Sequence, residues 1–220
     1  VGDFPFASDS DRAHWFASLL APMMRGVIRG PVPLTVYEAP APGTGKSLLM
    51  MVTARVASGR TVAPAALSSN EDERRKAVLA HLGAGPPVVC LDNVTGTVND
   101  DVLAGVITAW PRYTDRRMGG QSLMSVPAIS AWCMSANNAT MSPDIARRMV
   151  RVRLDSREAS PELRTGFRHP NLTAWTEKEA PHLRAAALAL VWAWAEAGSP
   201  AWDGKALGSF ESWSRNVGGV

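Results

Sequence analysis

Residues 38–47 read Glu-Ala-Pro-Ala-Pro-Gly-Thr-Gly-Lys-Ser, and no other stretch limits the fold as sharply. Leu34-Thr-Val-Tyr37, just before it, is a short apolar run with strand character. Ser47-Leu-Leu-Met-Met-Val-Thr-Ala-Arg-Val56, just after it, reads as a helix. A strand feeding a glycine loop and then a helix N-terminus makes a phosphate cradle, because backbone N–H groups converge there and the helix dipole favours an anion. In such a cradle Pro42, Gly43, Thr44 and Gly45 form the loop. Lys46 reaches the β- and γ-phosphates of ATP, and the Ser47 hydroxyl ligates Mg²⁺. The pattern G-x-x-x-x-G-K-[ST] is met except at its first position, where Pro40 stands for glycine. An early turn with φ of about −65° accepts that exchange. The plain alternative is a glycine- and proline-rich turn that happens to precede a lysine; strand and helix in the right places count against it.

The chain has 220 residues, 46% hydrophobic and 20% charged, which is enough for a sizeable core without a disulfide or metal staple. Cys90 and Cys133 lie in the apolar runs Val-Val-Cys-Leu and Ala-Trp-Cys-Met. They read as buried thiols of a reducing, cytoplasmic compartment. Two cysteines and four scattered histidines give no metal-binding spacing. No apolar run approaches the roughly 18 residues that span a membrane, and Val1-Gly-Asp-Phe-Pro-Phe6 is no signal peptide. Both ends read as cut from a longer polypeptide. A net charge of +3 is too mild to argue for nucleic acid, so the placement of the arginines matters more.

Along the chain, residues 10–29 place Trp15, Phe16, Leu19, Leu20, Met23 and Met24 at helical spacing. Residues 60–67 read as a weak strand or loop. Asn70 caps a helix with acids in its first turn, and Gly83–Pro87 breaks it. Val88–Asp92 is a buried strand and 99–110 an amphipathic helix. Residues 111–126 form a hairpin around Gly119-Gly120, and 128–135 form another strand. A short helix at 143–149 precedes the alternating strand 150–154, and 172–197 is helical. Helices between buried strands predict an α/β fold with a mainly parallel sheet. The division is 1–30 helical, 31–156 core, 157–200 helical, and 201–220 a linker and the start of a further domain.

Asp92 closes a buried strand downstream of the loop, where a phosphate-loop ATPase keeps its Mg²⁺-side carboxylate; a simple turn cap is the alternative. Asn93 follows, where many such ATPases carry a glutamate. An asparagine orients water but cannot take its proton. Asn137 and Asn138 end the strand 128–135, where an amide can hold the lytic water or the γ-phosphate, or simply make a turn. Arg147 and Arg148 follow Pro143-Asp-Ile-Ala and suit phosphoryl-transfer charge, or a salt-bridged helix end.

The order of these elements resembles the AAA+ ATPases of phages, plasmids and integrated elements. It is carried by Gly-Thr-Gly-Lys-Ser, the strand end Leu91-Asp-Asn, Asn137-Asn138, and Asp144-x-Ala-Arg-Arg148 before Val150-Arg-Val-Arg-Leu-Asp155. More narrowly, the chain resembles the superfamily-3-like helicase part of primase-helicases, a likeness that Gly166-Phe-Arg-His-Pro-Asn-Leu172 and Asp3-Phe-Pro-Phe6 extend. The resemblance implies a three-layer P-loop NTPase fold and a homo-oligomeric ring, usually a hexamer. ATP and Mg²⁺ would sit at subunit interfaces and single-stranded or forked DNA in the centre. It makes Asn137 the sensor of the γ-phosphate ahead of Asn138, and Arg147 the finger acting in trans ahead of Arg148. Arg116 and Arg117, on the hairpin, become DNA-phosphate contacts. Two other readings stay open: an AAA+ ATPase that remodels protein, and a nucleotide-binding module without turnover, motivated by Asn93.

Overall fold

The apolar runs separated by helical segments assemble into a four-stranded parallel sheet. In chain order the elements are α1 (Asp9–Met23), β1 (Leu34–Ala39), α2 (Lys46–Ser58), α3 (Glu71–Ala84), β2 (Val88–Val94), β3 (Thr97–Val98) and α4 (Asp101–Thr108). There follow β4 (Arg112–Arg116), β5 (Leu123–Pro127), β6 (Ala131–Asn137), β7 (Thr140–Met141), α5 (Pro143–Ala146) and β8 (Met149–Arg153). A 3₁₀ turn (Pro161–Leu163), α6 (Leu172–Glu196) and α7 (Glu211–Val217) complete the chain. The structure is a computed structural model and describes residues 1–116, 122–158 and 160–220.

Side chains cap four of the long helices. The Ser8 hydroxyl accepts from the Asp11 N–H, the Asn70 amide oxygen from Glu73, the Asp100 carboxylate from Val102 and Leu103, and the Asn171 amide oxygen from Ala174. At the head of α2, Gly45 offers no side chain. The apolar spacing predicted a first helix running to residue 29. α1 instead stops at Met23, with Pro22 in its last turn and Gly26, a poor helix former, close behind.

The four long parallel strands lie in the order β2-β6-β1-β8. β6 therefore separates β1 from β2, although β2 comes first in sequence after β1. Thr35 and Tyr37 of β1 and Cys133 of β6 face α1 and α2. Leu91 and Trp132 face α3 and α4. Helices thus cover both faces, as a parallel sheet requires. The weak strand expected over 60–67 reduces to one residue, Ala65, bridged to Leu91. Its N–H donates to Cys90 O at 2.8 Å and its carbonyl accepts from Asp92 N–H at 3.0 Å.

The expected hairpin forms from β4 and β5, paired antiparallel from Arg112↔Pro127 to Arg116↔Leu123. Residues 201–220, read from sequence as a linker and the start of a further domain, include a helix that packs back on the core. Phe210, Trp213 and Val217 are buried, α7 packs on α1, and Arg29 N–H donates to Ser212 Oγ at 2.8 Å. Three apolar residues at i, i+3 and i+7 give α7 a face to bury. Among the described residues, no helix is long and apolar enough to cross a membrane.

Candidate functional site

The loop between β1 and α2 needs glycine at two places. Gly43 and Gly45 have φ of 75° and 93°, a region other residues rarely adopt. A Cβ on Gly43 would lie 2.9 Å from Cβ of Glu162, and one on Gly45 would lie 3.1 Å from Cε1 of Phe4. Thr44 is buried, and its hydroxyl donates to Ala41 O at 2.8 Å, which closes the turn. Pro42 sits exposed at the loop's tip. Without a cap or an acid in its first turn, the N-terminus of α2 keeps its N–H groups for another acceptor.

Two segments frame this loop. Phe6 bridges Leu154, Asp155 N–H donates to Pro5 O at 2.8 Å, and Arg168 N–H donates to the Asp3 carboxylate at 3.0 Å. The stretch before α1 and the stretch after β8 are thereby tied together. They deliver Phe4 to Gly45 and Glu162 to Gly43. Sequence reasoning missed both contacts, because nothing local in either segment points to the loop.

Lys46 opens α2 and is only 8% exposed. Burial pulls its ammonium below the usual lysine range, and the charge of Asp92 partly offsets this. Asp92 lies near the end of β2, where the register with β6 shifts between Leu91 and Val94. Burial pushes its carboxyl up. The hydrogen bond from Ser135, with the neighbouring Ser47 hydroxyl and Asn93 N–H dipoles and the Lys46 charge, outweighs that and holds it below the ordinary aspartate value. Asn93 sits in the shift with φ of 56°, its side chain exposed.

Ser135 joins these groups; the sequence places it at the head of Ser135-Ala-Asn-Asn138 but assigns it no role. Its Oγ accepts from Ser47 Oγ at 3.1 Å and from Asn93 N–H at 2.8 Å, and donates to Asp92 Oδ1. The one clue in the sequence is a serine closing the apolar run Ala-Trp-Cys-Met.

Asn137, half-buried, ends β6 opposite Ala39, the last residue of β1, so it stands one strand spacing (about 4.8 Å) from the start of the loop. Asn138 is exposed in the following turn with φ of 51°. Lys46, Ser47, Asp92, Asn93 and Asn137 therefore share one end of the sheet. Arg147 and Arg148 do not. Leu34 N–H donates to Arg148 O at 3.0 Å and Leu34 pairs with Met149, which sets α5 at the end where β1 begins. Five strand steps, roughly 17 Å, separate that end from Ala39. Arg147 is 61% exposed in its side chain and Arg148 only 15%, and both pair with Asp144.

Arg116 ends β4, exposed, and its N–H donates to Asp115 Oδ1 at 2.8 Å. Arg117 and the Gly119-Gly120 turn lie outside the described residues.

For Mg²⁺ the donors at hand are the Ser47 hydroxyl and the Asp92 carboxylate. Among the described residues no cluster of three or more His, Cys, Asp or Glu side chains could hold a metal. One hydroxyl and one carboxylate fit an ion that takes its other ligands from water and phosphate.

No protein-family model and no curated protein matches the chain. Among solved structures it is similar to the apo A form of the NrS-1 C-terminal region. The two are 17% identical with a TM-score of 0.52, over 77% of this chain and 39% of that one. It is also similar to JCV helicase in a small-molecule complex, 14% identical with a TM-score of 0.42, over 84% of this chain and 55% of that one. The chain thus spans well under half of the NrS-1 region. The fold is a mixed α/β, P-loop NTPase-type fold with a mainly parallel central sheet and flanking helices.

Proposed function

We propose that this chain is the ATPase module of a DNA helicase or translocase, of the AAA+, superfamily-3-like kind found in mobile elements. It would hydrolyse ATP at the interfaces of a homo-oligomeric ring. The observation that carries this reading is the meeting of an uncapped α2 N-terminus, Lys46, Ser47 and Asp92 at one end of the sheet. The N–H groups of residues 43–47 would cradle the β-phosphate, with Lys46 as the point charge between β and γ. A bound Mg²⁺ would neutralise charge on the β- and γ-oxygens, held by Ser47 and, on its other side, by Asp92. Asn137 is assigned to sense the γ-phosphate. Exposure and a separation of roughly 17 Å from Ala39 suit Arg147 to the next subunit's nucleotide. Arg148, mostly buried against Asp144, is second choice. Residues 31–156 form the ATPase core in this reading, with helical segments on either side.

The hairpin is assigned to single-stranded or forked DNA through Arg116 and Arg117. Two other readings have an observation behind each. Leu123, 71% exposed opposite Arg116, suits a protein substrate. Asn93, unable to accept a proton, suits a module that binds without turnover. ATP hydrolysis by the chain, with and without single-stranded DNA, separates the three. We expect turnover that DNA stimulates, and Lys46→Ala should abolish nucleotide binding. Turnover indifferent to DNA removes the helicase assignment, and a Lys46→Ala protein that binds ATP like the parent removes the site.

A further inference from the structure

Ser135 makes three hydrogen bonds, and all three go to groups of the proposed site. Its residue is fully buried. A hydroxyl has one donor and two acceptor positions, and here each is used: one by Ser47, one by the Asn93 N–H, one on Asp92. Packing does not call for this hydroxyl. The residues of β6 on the same face, Ala131 and Cys133, are buried and apolar, and alanine would fill the place nearly as well. A buried hydroxyl is unfavourable unless its bonds are made, and here they are made to the two candidate cation ligands.

The bonds also have a direction. Ser47 O–H donates to Ser135, and Ser135 O–H donates to the Asp92 carboxylate. The Ser47 proton is thus engaged away from its oxygen's lone pairs, which stay free for a cation. Asp92 is held through Oδ1, which leaves Oδ2 for another partner. The bond from Asn93 N–H fixes the irregular backbone on which the Asp92 carboxylate is mounted.

Resting on the proposed nucleotide site, we infer that Ser135 is a positioning residue that sets Ser47 and Asp92 as a pair for the nucleotide-bound divalent cation. It makes no contact of its own with metal or phosphate. Groups that orient metal ligands are typically worth about 10–100-fold in metal affinity.

The test is binding of a non-hydrolysable β,γ-imido ATP analogue by calorimetry, once in Mn²⁺ and once in EDTA. Ser135→Ala should weaken binding about 10–100-fold in Mn²⁺ and stay within about twofold of the parent in EDTA. Ser135→Cys, near-isosteric and a weak donor, should fall between, and it decides the matter if the alanine variant does not fold. In an Asp92→Asn background Ser135→Ala should add little. Equal losses with and without Mn²⁺, or no loss in either variant, overturn the inference and leave the site standing. A parent whose binding ignores Mn²⁺ overturns the nucleotide–metal reading itself.

Discussion

Asn93 holds a left-handed backbone, φ 56°, where β2 slips its register against β6. For most L-residues that region is unfavourable by about 1–2 kcal/mol, and asparagine is among the few that visit it readily. The residue that removes the expected carboxylate is therefore also one that the backbone favours. Asn93→Glu should lower stability by about 1 kcal/mol in a denaturant titration, and Asn93→Gly should leave it nearly unchanged. If position 93 addresses the attacking water, the glutamate variant should still turn over faster than the parent. A slower or unchanged rate assigns water activation to another group. Lys46, Ser47 and Asp92 were legible in the sequence because their chemistry is written in contiguous stretches. Ser135 was not. Its place beside Ser47 and Asp92 depends on β6 inserting between β1 and β2, and no local pattern announces that register.

The hairpin β4–β5 shows the same division between local and distant information. Its two strands were readable from the residues that flank Gly119-Gly120, whereas its docking was not. Asp115 fastens it: the carboxylate accepts from Arg75 Nη1 on α3 at 2.8 Å, from the Tyr113 hydroxyl at 3.0 Å and from the Arg116 N–H. Burial pushes the Asp115 carboxyl up. The Arg116 N–H, then Arg75 and Tyr113, more than reverse this, so its folded value lies below the ordinary one. A carboxyl depressed in the folded state stabilises it above the unfolded value, near 4, and that stability is lost as pH falls through the folded value. Asp115→Asn should therefore speed amide exchange at Tyr113 and Val126 at neutral pH. The difference from the parent should close as the pH drops below the lowered folded value; a gap that persists there would mean the carboxylate is not what anchors the hairpin. The tail differs from the hairpin, since the spacing of Phe210, Trp213 and Val217 carries a face to bury but not the surface of α1 that receives it.

At the scale of the whole molecule, the two arginines and the loop stand at opposite ends of β1. The proposed trans role of Arg147 therefore brings the two together only across a pair of copies. In an assembled oligomer, Arg147→Ala and Lys46→Ala subunits should each be inactive alone. Mixed in equal parts they should recover some ATP turnover, because some interfaces then join an intact loop to an intact arginine. Zero recovery in a verified mixed oligomer would confine Arg147 to its own subunit or to structure, and would turn attention to Arg148. The sheet itself narrows how such copies can meet. On one rim, His14 Nδ1–H donates to Arg151 O and Arg153 N–H donates to Asp11 Oδ1, both at 2.8 Å, while Ala7 N–H donates to Arg153 O. On the other, Ala65 occupies the Cys90 carbonyl and the Asp92 N–H. Each margin is stoppered by a few residues of the same chain, so neither offers a bare strand for a stranger to zip onto. A second copy therefore finds no open edge on the four-stranded sheet to extend, and any ring of the proposed kind would have to be closed by surfaces outside that sheet.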